Sequence, residues 1–139
     1  MPYLTDARDI KNRIFEYTQA EVLWLDTEVA EYQSRKPRLS LIQILSEPHD
    51  MTGEHVDILD VLDQPELIEY FSDRIMATAA IEKVFHNASY DLKLLGKTKA
   101  KSITCTLELA KQLPYYLLQV PNLQLKTLAE QLCYFPPID

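Results

Sequence analysis

Apolar and polar positions change their period several times along this chain of 139 residues, and each change marks an element. Ile10, Ile14, Phe15 and Tyr17 recur near helical spacing after two N-cap candidates, Thr5 and Asp6, which predicts a helix over 6–18. Glu21–Thr27 reads EVLWLDT, a short apolar run of the kind a buried strand shows. Leu39–Leu45 and Val56–Val61 predict two further strands, and the polar loop SEPHDMTGEH between them suits antiparallel neighbours. Asp63-Gln64-Pro65 opens a helix whose apolar face is Leu67, Ile68, Phe71 and Ile75. Lys83–His86 predicts a fourth strand, and a helix over Ala88–Leu95 stops at Gly96. Ile103–Cys105 predicts a fifth strand leading into a helix over Thr106–Leu113. The last helix runs from an Asn122 cap through Leu125, Leu128, Ala129 and Leu132, before Pro136-Pro137 forbids its continuation. Three strands in succession, then alternating strands and helices, predict an α/β fold with a mixed sheet and helices on its faces.

No internal repeat, low-complexity tract or linker interrupts this order, and 47% hydrophobic with 25% charged residues suits one globular domain over 1–139. The formal net charge of −7 argues against a protein that binds nucleic acid simply by being basic. It is compatible with acidic side chains that hold metal ions against a nucleic-acid substrate. Gly53 and Gly96 are the two glycines, so neither a G-x-x-x-x-G-K loop nor a G-x-G-x-x-G fingerprint can be written. Phosphate chemistry, if present, must therefore use side chains and metals. No apolar run approaches the roughly 18 residues that span a bilayer, and MPYLTDARD lacks the layout of a signal peptide. The expectation is a chain without membrane contact, cytoplasmic by default, with Cys105 and Cys133 reduced.

Candidate chemistry begins at Asp26-Thr27-Glu28. Strand side chains alternate, so Asp26 and Glu28 point the same way, about 7 Å apart along the chain. Two like charges beside a buried strand invite a hard divalent ion such as Mg²⁺ or Mn²⁺, although a solvated strand end has the same pattern. Asn87-Ala88-Ser89-Tyr90-Asp91 then sets a second carboxylate in the first turn of a helix at the C-terminal end of a strand, where α/β folds usually build sites. If the fourth strand lies beside the first, Asp91 faces Asp26 across a gap that metal would fill. Complementing the helix dipole is the bland role for Asp91, and capping is the bland role for Asn87.

LWLDTE, RLSLIQI, VFHNASYDLKLL, TCTLELAKQL and LQLKTLAEQL, in this order, resemble the exonuclease domain of ribonuclease D and its relatives. These are the four-carboxylate 3′–5′ exonucleases of the ribonuclease-H-like fold. The resemblance runs from about residue 20 to the end of the chain, with its first motif at Asp26 and Glu28 and its second at Asn87, Tyr90 and Asp91. It implies a sheet whose first three strands are antiparallel and whose later strands run parallel to the first. It also implies two divalent ions, Mg²⁺ or Mn²⁺, held by Asp26, Glu28 and Asp91. One ion generates the attacking hydroxide and the other stabilises the leaving 3′ oxygen. Thr27, Asn87, Tyr90 and Arg38 would touch the substrate, the 3′ end of a single-stranded RNA, and nucleoside 5′-monophosphates would leave one at a time.

One departure accompanies the resemblance. The family's third motif, Tyr-x-x-x-Asp on a later helix, has no counterpart: Tyr134 and Asp139 are separated by two prolines, and neither Tyr115 nor Tyr116 has an Asp four residues on. The expectation is a domain lacking the C-terminal segment that carries this motif, with impaired catalysis. Two other readings stay open: an inactive exonuclease-like module that binds nucleic acid or a protein, and a DNA exonuclease. Association with a second copy is open as well. Among lesser features, Arg35, Lys36 and Arg38, and Lys93, Lys97, Lys99 and Lys101, are candidate phosphate contacts. Trp24 reads as core rather than as a base-stacking platform, and His86 as a hydrogen-bonded strand-end histidine.

Overall fold

The computed structural model describes residues 1–31, 33 and 35–137. Asp139, half of the Tyr134/Asp139 pair considered above, lies outside the described residues. In chain order the elements are β1 (Tyr3–Leu4), α1 (Ala7–Tyr17), β2 (Val22–Ala30), β3 (Arg38–Leu45), β4 (Asp57–Asp60), α2 (Pro65–Phe71), β5 (Glu82–Phe85), α3 (Ala88–Leu95), β6 (Ile103–Cys105), α4 (Thr106–Lys111) and α5 (Leu125–Cys133). A π-helical turn over Ser72–Met76 prolongs α2.

The sheet has the order β1-β4-β3-β2-β5-β6. β2, β3 and β4 pair antiparallel, while β5 runs parallel to β2, β6 parallel to β5, and β1 parallel to β4. The expected mixed sheet is therefore present, with β5 beside β2, and it has one strand more than the pattern predicted. β1 is two residues long, too short to show a period, and its partner β4 is distant in sequence.

The local chemistry explains most boundaries. Asp6, not Thr5, caps α1, accepting from the N–H groups of Arg8 and Asp9 at 2.9 and 3.2 Å. Gly96 closes α3 in the left-handed region, at φ 99°. Two helices near the C-terminus are shorter than predicted. α4 stops at Lys111 rather than Leu113, because Leu113 precedes Pro114 and that position disfavours helical backbone. α5 begins at Leu125 rather than after an Asn122 cap; the Asn122 carboxamide instead accepts from the Gln124 N–H at 3.0 Å and turns the preceding chain.

The main core gathers Ile10 and Ile14 of α1, Leu23 and Leu25 of β2, Ile42 and Ile44 of β3, Leu67 and Phe71 of α2, and Phe85 and Leu95 around β5 and α3. A second, smaller cluster of Ala110, Leu118 and Leu128, flanked by Val120 and Leu123, is separate from it. At the start of β4, Asp57 is buried and accepts from Arg13 Nη1 at 2.6 Å and from the Tyr17 hydroxyl, tying α1 to β4. Both cysteines are free thiols. Among the described residues no helix is long and apolar enough to cross a membrane.

Candidate active site

β2 and β5 differ in length, and that difference makes the site. Their ladder runs from Val22↔Glu82 to Trp24↔Val84, after which β5 ends and the chain turns into α3, while β2 continues to Ala30. The far half of β2 therefore has β3 on one side and the start of α3 on the other. Asn87 makes the turn with a left-handed backbone, φ 69° and ψ 56°, a region that asparagine tolerates better than most residues. Its carboxamide makes no capping bond to α3 and, among the described residues, accepts from Ser89 Oγ at 3.3 Å. The helix-cap role thus goes unfilled, and Asn87 keeps an exposed side chain.

Along β2 the burial alternates. Leu23, Leu25 and Thr27 face the core, and Asp26 and Glu28 are exposed on the opposite face. The expected convergence of Asp26 and Glu28 on one face is what the strand displays. Asp91, in the first turn of α3, is 3% exposed and accepts a hydrogen bond from the Thr27 hydroxyl. Burial pushes the Asp91 carboxyl up to about 6; the Thr27 hydroxyl opposes the rise and the nearby charge of Asp26 adds to it. Asp26 is also raised by desolvation, offset in part by the Thr27 N–H and by His86. The Thr27 N–H lowers both carboxylates and so opposes the effect of burial on each.

The two carboxylates held above their ordinary range match the chemistry of a hard divalent ion, whose charge would relieve both the desolvation and the mutual repulsion. Neither forms an ion pair with Lys or Arg among the described residues. The donor set, all carboxylate oxygen, fits Mg²⁺ or Mn²⁺. Yet the three carboxylates are not gathered into one cluster: among the described residues no group of three His, Cys, Asp or Glu side chains is arranged to hold a metal.

The remaining expected residues divide. Tyr90 is 43% exposed beside Asp91 on α3. Thr27, expected to touch substrate, is 7% exposed and turned inward to Asp91. Arg38 is not brought to the carboxylates: its guanidinium binds Asp63 and, at 3.0 Å, Glu31. Lys99 pairs with Asp73 at 2.7 Å. His86 is the hydrogen-bonded strand-end histidine expected: Nδ1 pairs with Thr106 Oγ1 and Nε2 with the Leu123 carbonyl, both at 2.8 Å. Its place directly after β5 could have shown that it stands beside Asp26; its contacts to residues 20 and 37 positions away could not have been read from pattern.

Comparison with known proteins bears on the family and the fold. The family model described as 3′-5′ exonuclease matches residues 1–139. No curated protein matches the chain. Among solved structures, the RRP6 catalytic core of Trypanosoma brucei superposes with a TM-score of 0.71 at 17% identity over 96% of this chain and 34% of its own. The Trypanosoma brucei RNase D complex with RNA U12 gives 0.60 at 21% identity over 78% of this chain and 39% of its own. Brucella melitensis NrnC with bound Mg²⁺ gives 0.65 at 19% identity over 90% and 59%. The chain thus spans about a third of the length of the RRP6 core, and these likenesses establish the fold.

Proposed function

The chain belongs to the 3′-5′ exonuclease family, and from that premise we propose that it is a metal-dependent 3′–5′ exoribonuclease domain that shortens single-stranded RNA from its 3′ end, releasing nucleoside 5′-monophosphates. The observation that carries the reading is the placement of two carboxylates, Asp26 on β2 and Asp91 in the first turn of α3, where the β2–β5 ladder ends, with Asp91 accepting from the Thr27 hydroxyl. Asp26, Glu28 and Asp91 would hold Mg²⁺ or Mn²⁺. When bound, such ions supply a nucleophilic hydroxide and neutralise charge on the leaving oxygen. The chain's own residues then orient the substrate. Glu28, exposed two residues beyond Asp26, faces the terminal nucleotide. The exposed Asn87 carboxamide, whose oxygen accepts from Ser89 Oγ, is a donor and acceptor for the terminal sugar or phosphate, and the half-exposed Tyr90 ring supplies an apolar edge beside it. RNA as the substrate is supported by the RNA bound to the related RNase D.

A second reading, a nucleic-acid-binding module without catalysis, is favoured by the lack of a three-ligand group among the described residues. One assay separates the two. A 3′-labelled single-stranded RNA is incubated with the protein and Mg²⁺ or Mn²⁺, beside Asp26→Ala and beside a DNA of the same sequence. Metal-dependent release of labelled mononucleotide that Asp26→Ala abolishes is expected. RNA binding without release would overturn the enzyme reading in favour of the module, and release from DNA alone would overturn the choice of RNA.

A further inference from the structure

Position 27 breaks the pattern of its strand. Leu23 and Leu25 fill the core-facing positions of β2, and the next core-facing residue, Thr27, carries a hydroxyl at 7% exposure. Valine would have the same shape and strand preference without a polar atom. Burying a hydroxyl is unfavourable unless it is hydrogen-bonded, and the partner of this one is Asp91 Oδ1. The Asp91 carboxylate also feels the N–H of Thr27 and its own N–H. The hydroxyl of Thr27 is therefore directed at this one acidic side chain, while its N–H acts on Asp91 and Asp26 alike. Both are free to do so because the β5 ladder ends at Val84 and leaves this edge of β2 without a strand partner.

We propose that Thr27 is a positioning residue for Asp91, its hydroxyl setting the rotation of the carboxylate so that the other oxygen is presented toward Asp26 and a divalent ion. This rests on the exonuclease reading above and assigns Thr27 a different role from a substrate contact. A carboxylate on the first turn of a helix turns about two side-chain bonds. The hydroxyl, fixed by the stiff β-branched side chain of a central strand, removes that freedom before any ion arrives. Hydrogen-bonding partners of this kind change metal affinity by about 10–100-fold when removed.

The test is binding of Mn²⁺ alone, read from the loss of the free-ion paramagnetic resonance signal, with thermal melting as the check on folding. The proteins are the wild type, Thr27→Val, Thr27→Ser, Asp26→Ala and Asp91→Ala. Expected are an approximately tenfold weaker affinity for Thr27→Val and near wild-type affinity for Thr27→Ser, which restores the hydroxyl. Wild-type affinity in folded Thr27→Val, with weakened binding in Asp91→Ala, would overturn the positioning role and leave the exonuclease reading intact. No Mn²⁺ binding by the wild type, or undiminished wild-type affinity in both Asp26→Ala and Asp91→Ala, would overturn the metal reading and this inference with it. Should Thr27→Val not fold, Thr27→Ala removes the hydroxyl without adding a methyl and decides between the same outcomes.

Discussion

Lys83 makes the most quantitative demand on this structure. It lies in the middle of the sheet, on β5 between Leu23 of β2 and Ile103 of β6, and is 0% exposed. Its ammonium donates to the carbonyls of Thr78 and Ile81, both at 2.6 Å. Burial lowers its pKa from 10.5 to about 8. The native chain thus binds this proton more weakly than the unfolded chain does, and stability rises with pH between about 8 and 10.5. The full slope is about 1.4 kcal/mol per pH unit. Integrated from pH 7.5 to 9.5, where the transition is partial at the lower end, the gain is roughly 2 kcal/mol.

The perturbation is Lys83→Met, and the measurement is urea unfolding of both proteins across that range. The difference in unfolding free energy between wild type and variant should rise by roughly 2 kcal/mol in favour of the wild type from the lower pH to the higher. Other groups cancel in the difference. Burial pushes the Cys105 thiol up, but the N–H groups of Ala88, Glu108, Asn87 and Leu107 together outweigh it and leave the thiol below its ordinary value in both proteins. Burial and the hydrogen bond to Asp57 hold Tyr17 far above the range studied. A difference that stays flat with pH would show that the Lys83 ammonium is solvated in the native state and would refute the argument.

Two further predictions concern the site and its support. Asp91 is raised to about 6 by burial first, so the native state holds a proton that the unfolded state has lost, and stability should fall as pH rises from about 4 to 6. Asp91→Asn should then be more stable than the wild type at pH 7 in EDTA, by about 3 kcal/mol, and urea unfolding that finds equal stabilities would contradict this. Gly96 combines φ 99° with close approach to Ser72, whose Oγ would lie 2.6 Å from an added Cβ. Gly96→Ala should cost about 1–2 kcal/mol for the left-handed backbone alone and more for the contact. Ser72→Ala should recover only the contact part, so additive effects in a double-mutant cycle would refute the close approach.

The strands that carry the site are legible in the sequence because EVLWLDT and KVFH are apolar runs bounded by polar or turn residues, and a strand that ends in a helix defines where a site can form. The position of Asp91 is legible for the same reason, since a carboxylate three residues into such a helix lies beside the neighbouring strand. Its inward partner is not. Thr27 reads as one letter between two acids, and only the alternation of burial along β2 turns it toward Asp91 rather than toward solvent. Arg38 misleads in the opposite way: its sequence position beside the motif suggests phosphate, while chain folding brings Asp63, 25 residues on, to its guanidinium. The π-helical turn at Ser72–Met76 has no signal in hydrophobic periodicity, and β1 is too short to have one.

The division of the interior into two clusters bears on how the molecule opens. The second cluster contains three buried residues, and around it Leu109, Tyr115, Tyr116, Leu117 and Leu132 keep half or more of their surface, or nearly so, in water. Segments with so few buried apolar contacts are the ones that open locally at small free energy, ahead of global unfolding. α4, the turn after it and α5 form such a unit, and the bond from His86 Nε2 to the Leu123 carbonyl fastens it to the sheet end where Asp26 lies. Opening there would detach that carbonyl from the His86 ring, which acts electrostatically on the Asp26 carboxylate, so any opening of the C-terminal helices would reach the site through this one hydrogen bond.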